Sequence, residues 1–119
     1  SAFGVSVFNS IGTIIKNNRI SYHEGSAIIT GYRAEGMQVI ENIIIGNGLA
    51  GMPDAIRLDG KVNKSQIRAN LLCANDGSGI FLFKPEGAVE IKDNDIRYNG
   101  RRLRRAAVYL MGSDHKVTN

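Results

Sequence analysis

The feature that most constrains this chain is a short motif, built around asparagine, that recurs at a nearly constant interval. In each copy an aliphatic residue stands three positions before the Asn and another stands two positions after it. The four motif residues, separated by 24, 28 and 24 positions, are Asn18, Asn42, Asn70 and Asn94. A fifth copy begins at Val117. Self-similarity at such a period is typical of solenoids, in which each repeat is one structural unit.

Two further columns share this period. The residues five positions after each motif Asn are His23, Asn47, Asn75 and Asn99. Beyond them a small residue opens an alternating segment, as in Ala55-Ile56-Arg57-Leu58 and Gly79-Ile80-Phe81-Leu82. Alternation with a period of two indicates strands that bury one face. Stacked repeats would pair each strand with its copies about 4.8 Å above and below.

The motif Asn residues are predicted to be structural. Asn tolerates the left-handed backbone of a sharp turn, and stacked Asn side chains can hydrogen-bond in a ladder. Abundant Ile and 14 Gly favour strands and tight turns. Amphipathic helices fit poorly, because the segments are short and β-branched and Asn-Gly and Asp-Gly pairs recur. A leucine-rich repeat fits poorly too, since Leu is scarce.

The sequence therefore predicts an all-β fold, a right-handed parallel β-helix of four to five rungs, each 24 to 28 residues long. Residues 1–119 would form one domain. Both ends fall within a rung, so we expect this segment to continue into further rungs or to meet another chain.

The repeated pattern, aliphatic-x-x-Asn-x-Ile followed by Gly/Ala-Ile-x-Leu, resembles the parallel β-helix repeat of the pectin-lyase-like superfamily over nearly the whole chain. That superfamily includes polysaccharide lyases, glycoside hydrolases, uronate epimerases, tailspikes, adhesins and binding modules, so the resemblance implies no single activity. The Asn-Thr-Asp, Asp-Asp, Gly-His-Gly and Arg-Ile-Lys motifs of galacturonan hydrolases are missing. The Asp-Pro-His-Asp signature of mannuronan epimerases has only Ser113-Asp114-His115-Lys116 as its nearest counterpart.

Outward positions of the alternating strands supply one set of candidate ligand-binding residues. Arg57, Phe81 and Tyr109 occupy the first outward position, and Asp59 and Phe83 occupy the next one along the strand. Strand geometry places them on one surface. Exposed aromatic rings on this surface would stack on sugar rings. Alternatively, a neighbouring domain would cover the patch.

A second candidate is a basic loop. The distance from the motif Asn to the following small residue alternates between 9 and 13 residues, so the two longer loops should project from the same side. The second of them contains Arg101, Arg102, Arg104 and Arg105. The planar guanidinium of Arg binds carboxylates, sulfates and phosphates through two hydrogen bonds. The alternative is a solvated loop that contributes to solubility.

The resemblance implies an association with carbohydrate. With the aromatic and basic residues above and a net charge of +4, we therefore expect a module that recognises an acidic polysaccharide. The resemblance implies an extracellular or cell-surface location. Nucleic acid is disfavoured because no aromatic-rich binding motif is present. A polysaccharide lyase or hydrolase is the alternative function, with Tyr109 or His115 as the proton-transfer group. A non-catalytic structural or adhesin solenoid is the third hypothesis.

Other residue patterns restrict the chemistry further. Neither His has a partner at metal-ligand spacing, and no cofactor motif is found, so the sequence predicts no metal and no cofactor. A single cysteine, Cys73, rules out an intrachain disulfide. No stretch reaches the roughly 18 apolar residues of a membrane-spanning helix.

Overall fold

The fold is a parallel β-solenoid, seen in a computed structural model that describes residues 3–48, 53–100 and 106–118. These residues form fourteen strands and no helix. In chain order the strands are β1 Val5–Ile11, β2 Ile14–Lys16, β3 Arg19–Ser21, β4 Ile28–Glu35, β5 Gln38–Ile40, β6 Ile43–Ile45, β7 Ile56–Lys61, β8 Ser65–Arg68, β9 Leu71–Cys73, β10 Ile80–Glu86, β11 Val89–Lys92, β12 Asp95–Arg97, β13 Val108–Leu110 and β14 Lys116–Thr118.

Three parallel sheets run along the axis, one from each side of every turn. The first sheet has the order β1-β4-β7-β10-β13, the second β2-β5-β8-β11-β14 and the third β3-β6-β9-β12. Every strand pairs only with strands one turn away, which gives about four turns in all. The predicted all-β solenoid is therefore confirmed. Nowhere in the described ranges is there a helix of the length and apolarity that crossing a membrane requires.

The core consists of aliphatic columns inside the three sheets. In the first sheet Ile28, Ile56 and Ile80 are stacked neighbours, and each is fully buried. Val39 and Ile67 form a similar pair in the second sheet. Burying one such side chain contributes about 1.5–3 kcal/mol, so the stacked columns are the main source of stability. The pairing also confirms the strand register predicted from the alternation.

The sharp turn is made by the residue before the motif Asn and not by the motif Asn itself. We expected the motif Asn to adopt the left-handed conformation, but the residue before it does so. Positive φ values of 56° to 59° occur there, at Asn17, Glu41, Ala69 and Asp93. This position needs a sharp bend, and its residue type varies from one turn to the next. The prediction placed the bend one residue too late.

The motif Asn instead joins successive turns through its side chain. Asn70 Oδ1 accepts hydrogen bonds from the backbone N–H and the side-chain amide of Asn42, at 2.9 and 3.0 Å. Asn70 Nδ2 donates to Asn94 Oδ1 and to the Val39 carbonyl, both at 2.9 Å. Only an amide can donate and accept in this way. The predicted asparagine ladder is therefore confirmed.

A second ladder stands at the corner after the third sheet. Asn75 Oδ1 accepts from Asn47 Nδ2 at 3.1 Å, and Asn75 Nδ2 donates to Asn99 Oδ1 at 2.8 Å. His23 occupies the same column in the first turn, where its backbone N–H donates to Asn47 Oδ1 at 3.1 Å. The column that begins with His23 therefore has a structural role.

Candidate functional site

The outer face of the first sheet brings together the aromatic and charged residues predicted from the alternation. Arg57 is the strand partner of Phe81, and Phe81 is the partner of Tyr109. Asp59 is likewise paired with Phe83 one turn further along. These five side chains come from β7, β10 and β13, so they lie on three consecutive turns of one face.

Arg57, Phe81, Phe83 and Tyr109 form a contiguous group, which we call the arginine–aromatic cluster. The Phe81 and Tyr109 rings are nearly parallel, with centroids 4.8 Å apart and 7° between their planes. The Arg57 guanidinium carbon lies 4.9 Å from the Phe81 centroid and 4.8 Å from the Phe83 centroid. Contacts of this geometry are attractive because a cation faces the negative side of a ring.

Exposure within the cluster differs from the sequence-based expectation at one position. Phe81 was expected to present an exposed ring, but it is only 8% exposed. Its neighbours on the adjoining turns cover it, because strands about 4.8 Å apart place stacked side chains in van der Waals contact. Tyr109 is 45% exposed, and Phe83 is half-buried. The accessible rings of this cluster are therefore Tyr109 and Phe83 rather than Phe81.

A buried acid, Asp54, lies beneath the cluster and was not predicted from the sequence. Asp54 is fully buried, and its Oδ1 accepts the Ser78 backbone N–H at 2.8 Å. Its Oδ2 lies 3.9 Å from Arg57 Nη1. Asp54 therefore positions the guanidinium from the interior side. Its place directly before the small residue Ala55, where Ser26 and Ser78 stand in neighbouring turns, is the sequence signal that would have found it.

A groove of about 720 Å³ lies beside the cluster, where the strands of the first sheet bend; we call it the corner groove. Phe8, Gly31 and Tyr32 line one end, and Asp59, Lys61 and Glu86 line the other. The bend comes from a column of left-handed residues, which are Asn9, Tyr32, Gly60, Lys84 and Gly112. Asp59 was predicted from the sequence to bind a ligand, whereas the groove was not predicted.

Gly60 is the tightest point of this bend. Its φ is 87°, and a methyl group on its Cα would lie 2.7 Å from the Tyr32 backbone oxygen in the turn below. Any side chain at position 60 would therefore collide with the Tyr32 backbone. With glycine here, the floor of the groove stays open.

The four predicted arginines of the basic loop, Arg101, Arg102, Arg104 and Arg105, lie outside the described residues. The loop follows Gly100, whose backbone N–H donates to the carbonyls of Asn75 and Gly77. This point of departure belongs to the corner after the third sheet. The proposed ligand contacts of the four arginines stay a prediction.

His115, a candidate for proton transfer, is engaged through both ring nitrogens. Its Nδ1 accepts the Val89 backbone N–H at 3.0 Å, and its Nε2 lies 2.8 Å from the Met111 carbonyl, which identifies Nε2 as the donor. Ser65 performs the same task two turns below, where its hydroxyl accepts the Met37 N–H at 3.1 Å. His115 therefore has a structural role at the entrance to the second sheet.

Tyr109, the other proton-transfer candidate, lies on the cluster, with its ring stacked on Phe81. Within the ranges that the structure describes, no three His, Cys, Asp or Glu side chains lie close enough together to hold a metal ion. The arrangement on this face can stack, donate hydrogen bonds and present positive charge.

Comparison with known families agrees with this architecture. The family model for the right-handed β-helix region matches residues 1–119. The chain belongs to the right-handed β-helix family. Comparisons with curated proteins and with solved structures gave no match. Membership of the family establishes the handedness and fold of this β-helix, but the fold alone does not specify a ligand.

Proposed function

We propose that this β-helix binds an acidic polysaccharide along the outer face of its first sheet, through the arginine–aromatic cluster. The observation that carries the proposal is the fixed position of Arg57 over two rings, at 4.9 and 4.8 Å. A guanidinium is planar and binds a carboxylate or sulfate with two parallel hydrogen bonds. Rings that hold it in place reduce the rotamer freedom lost on binding.

Asp54 supports this role from below. Because its carboxylate lies 3.9 Å from one guanidinium nitrogen, it restrains the inner edge of Arg57. The Arg57 side chain is 16% exposed, and the exposed part is the part available to a ligand. A buried acid on one side and solvent on the other orient the guanidinium for an anion that approaches from outside.

The aromatic members of the cluster supply a platform for sugar rings. Tyr109 is nearly half exposed and is supported from behind by Phe81, to which it lies parallel at 4.8 Å. The C–H face of a pyranose packs on such a ring and excludes water from it. An acidic sugar at Arg57 and a ring contact at Tyr109 together favour a charged glycan over an isolated anion.

The wider charge distribution is consistent with this ligand. The chain has a net charge of +4, and the four arginines of the basic loop, at positions 101, 102, 104 and 105, would extend the positive surface. Recognition of an acidic polysaccharide implies an extracellular or cell-surface setting, which is part of the same proposal.

Affinity electrophoresis and calorimetry with uronate and sulfated oligosaccharides at low salt test the proposal, because salt screens exposed charges. Arg57→Lys keeps the charge but loses the planar guanidinium with its two parallel hydrogen bonds. It should weaken binding about tenfold, or 1.4 kcal/mol. Tyr109→Asn should weaken binding to a similar extent. Tyr98→Asn is the control, because Tyr98 is 76% exposed but belongs to a different corner.

Two outcomes would overturn the proposal. One is no retention of any uronate or sulfated glycan at low salt. The other is equally strong binding of single-stranded DNA that the Tyr109 variant does not weaken, since that would indicate attraction to charge without recognition of sugar.

A further inference from the structure

We infer that the corner groove binds an uncharged sugar beside the acidic sugar held at Arg57, so that the ligand is a heteropolysaccharide in which uronate and neutral or N-acetylated units are neighbours. This inference rests on the proposed function, because it adds a second subsite to the same face. It specifies which class of acidic polysaccharide the face accepts.

The two subsites are adjacent. Asp59, which lines the groove, follows Arg57 by two residues in β7, a distance of about 7 Å along a strand. Phe83 is the strand partner of Asp59 and also contacts the Arg57 guanidinium. One face therefore passes without interruption from the arginine–aromatic cluster into the corner groove.

The charges of the groove argue against a second acidic sugar. Two cationic side chains, Arg33 and Lys61, line it together with two carboxylates, Asp59 and Glu86. Arg33 is further engaged with Glu35, at 2.8 Å between Nε and Oε1. With as many acids as cations, the groove offers no net positive charge to a second uronate, whose carboxylate would lie beside Asp59 and Glu86. Like charges brought together oppose binding and thereby exclude the wrong ligand.

The cationic and anionic side chains of the groove together suit the hydroxyl and acetamido groups of an uncharged sugar. Carboxylates accept hydrogen bonds from sugar hydroxyls, and Lys61 and Arg33 donate to hydroxyl or carbonyl oxygens. An uncharged sugar satisfies both kinds of partner without losing the hydration of a full charge.

The aromatic end of the groove gives the sugar a surface to pack on. The Phe8 and Tyr32 rings meet edge to face, with centroids 6.1 Å apart and 65° between the planes. They are 50% and 78% exposed. The Phe8 ring lies over Gly31, where even a methyl group would overlap it. Gly31 therefore lets the Phe8 ring lie flat and keeps the groove open beside Tyr32.

Calorimetry with two probes of equal length tests the inference. One is an oligogalacturonate, in which every unit is charged, and the other is a hyaluronan oligosaccharide, in which glucuronate and N-acetylglucosamine alternate. The alternating probe should bind about tenfold more tightly, which corresponds to 1.4 kcal/mol. Asp59→Lys should remove this preference by admitting a second uronate.

A matched pair of variants isolates the groove. Tyr32 and Tyr98 are 78% and 76% exposed and have φ values of 58° and 57°, and Asn tolerates that backbone. Tyr32→Asn should weaken binding of the alternating probe about tenfold and leave the oligogalacturonate unchanged. Tyr98→Asn should change neither.

The outcomes separate the inference from the proposed function. Equal affinity for both probes, with no effect of Tyr32→Asn, overturns the second subsite and leaves the proposed function intact. If Tyr32→Asn weakens the binding of both probes to the same extent, the assignment of an uncharged sugar to the corner groove is overturned. If the parent chain binds neither probe, this inference is overturned. The proposed function is overturned as well if no sulfated oligosaccharide is retained.

Discussion

The side-chain oxygen of Asn70 accepts two hydrogen bonds from Asn42, one from its backbone N–H at 2.9 Å and one from its amide at 3.0 Å. Asn70 is 2% exposed. The same pairing joins Asn18 to Asn42 and Asn70 to Asn94, so side chains as well as sheets connect the strands of these successive turns.

Asn70→Asp should therefore be severely destabilising. The aspartate cannot donate to the Val39 carbonyl or to Asn94, and it places a charge where water is excluded. We expect a loss of about 3 kcal/mol in the free energy of unfolding, measured in urea. Asn17→Asp is the control, because Asn17 is exposed and Asp tolerates its left-handed backbone. Similar losses in the two variants would contradict the ladder as a source of stability.

Ile56→Asp should unfold the chain or cause it to aggregate. Ile56 is fully buried between Ile28 and Ile80, and an unpaired carboxylate there costs several kcal/mol. Such a loss is comparable with the roughly 5–15 kcal/mol that stabilises a small domain. Ser6→Asp, at an exposed outward position of β1, should melt like the parent chain in circular dichroism. Equal damage from both would mean that the register is shifted by one residue.

Two glycines at left-handed positions should differ in their response to alanine. Gly60 has a φ of 87° and backbone atoms of Tyr32 within 3.1 Å of a new methyl group, whereas Gly12 has a φ of 74° and nothing within 4 Å. Gly12→Ala should cost about 1 kcal/mol, from backbone conformation alone. Gly60→Ala adds a collision and should cost about 3 kcal/mol. Thermal melts of both variants measure the difference, and equal costs would show that the turn relaxes.

His115→Ala should expose the Val89 amide to exchange. The ring nitrogen that accepts this N–H at 3.0 Å is lost, and an amide without its partner costs about 1–2 kcal/mol. Hydrogen exchange of Val89, read by NMR, should accelerate, and His115→Gln should restore part of the protection through its side-chain oxygen. Asp114→Asn, next to the same residue, should leave the Val89 rate unchanged. Unaltered exchange in His115→Ala would refute the structural role.

The solenoid, its register and the asparagine ladders were accessible from the sequence alone. A residue type that recurs once per turn is enough to define a column. The alternation at Ile56, Arg57 and Leu58 predicts which side chains face inward. Stacked turns repeat the same local geometry, so a pattern within one repeat predicts contacts between repeats.

Only the tertiary structure decided which outward residues are accessible and where a groove opens. The burial of Phe81 depends on side chains in the turns above and below it, and the position of Asp54 beneath Arg57 depends on the path of a corner. Phe8, Tyr32 and Asp59 come from three turns and meet because the strands bend at left-handed residues, which have no single sequence signature. Periodicity specifies the side of a sheet, whereas exposure and concavity are set by the volumes of neighbours that a one-dimensional pattern does not contain.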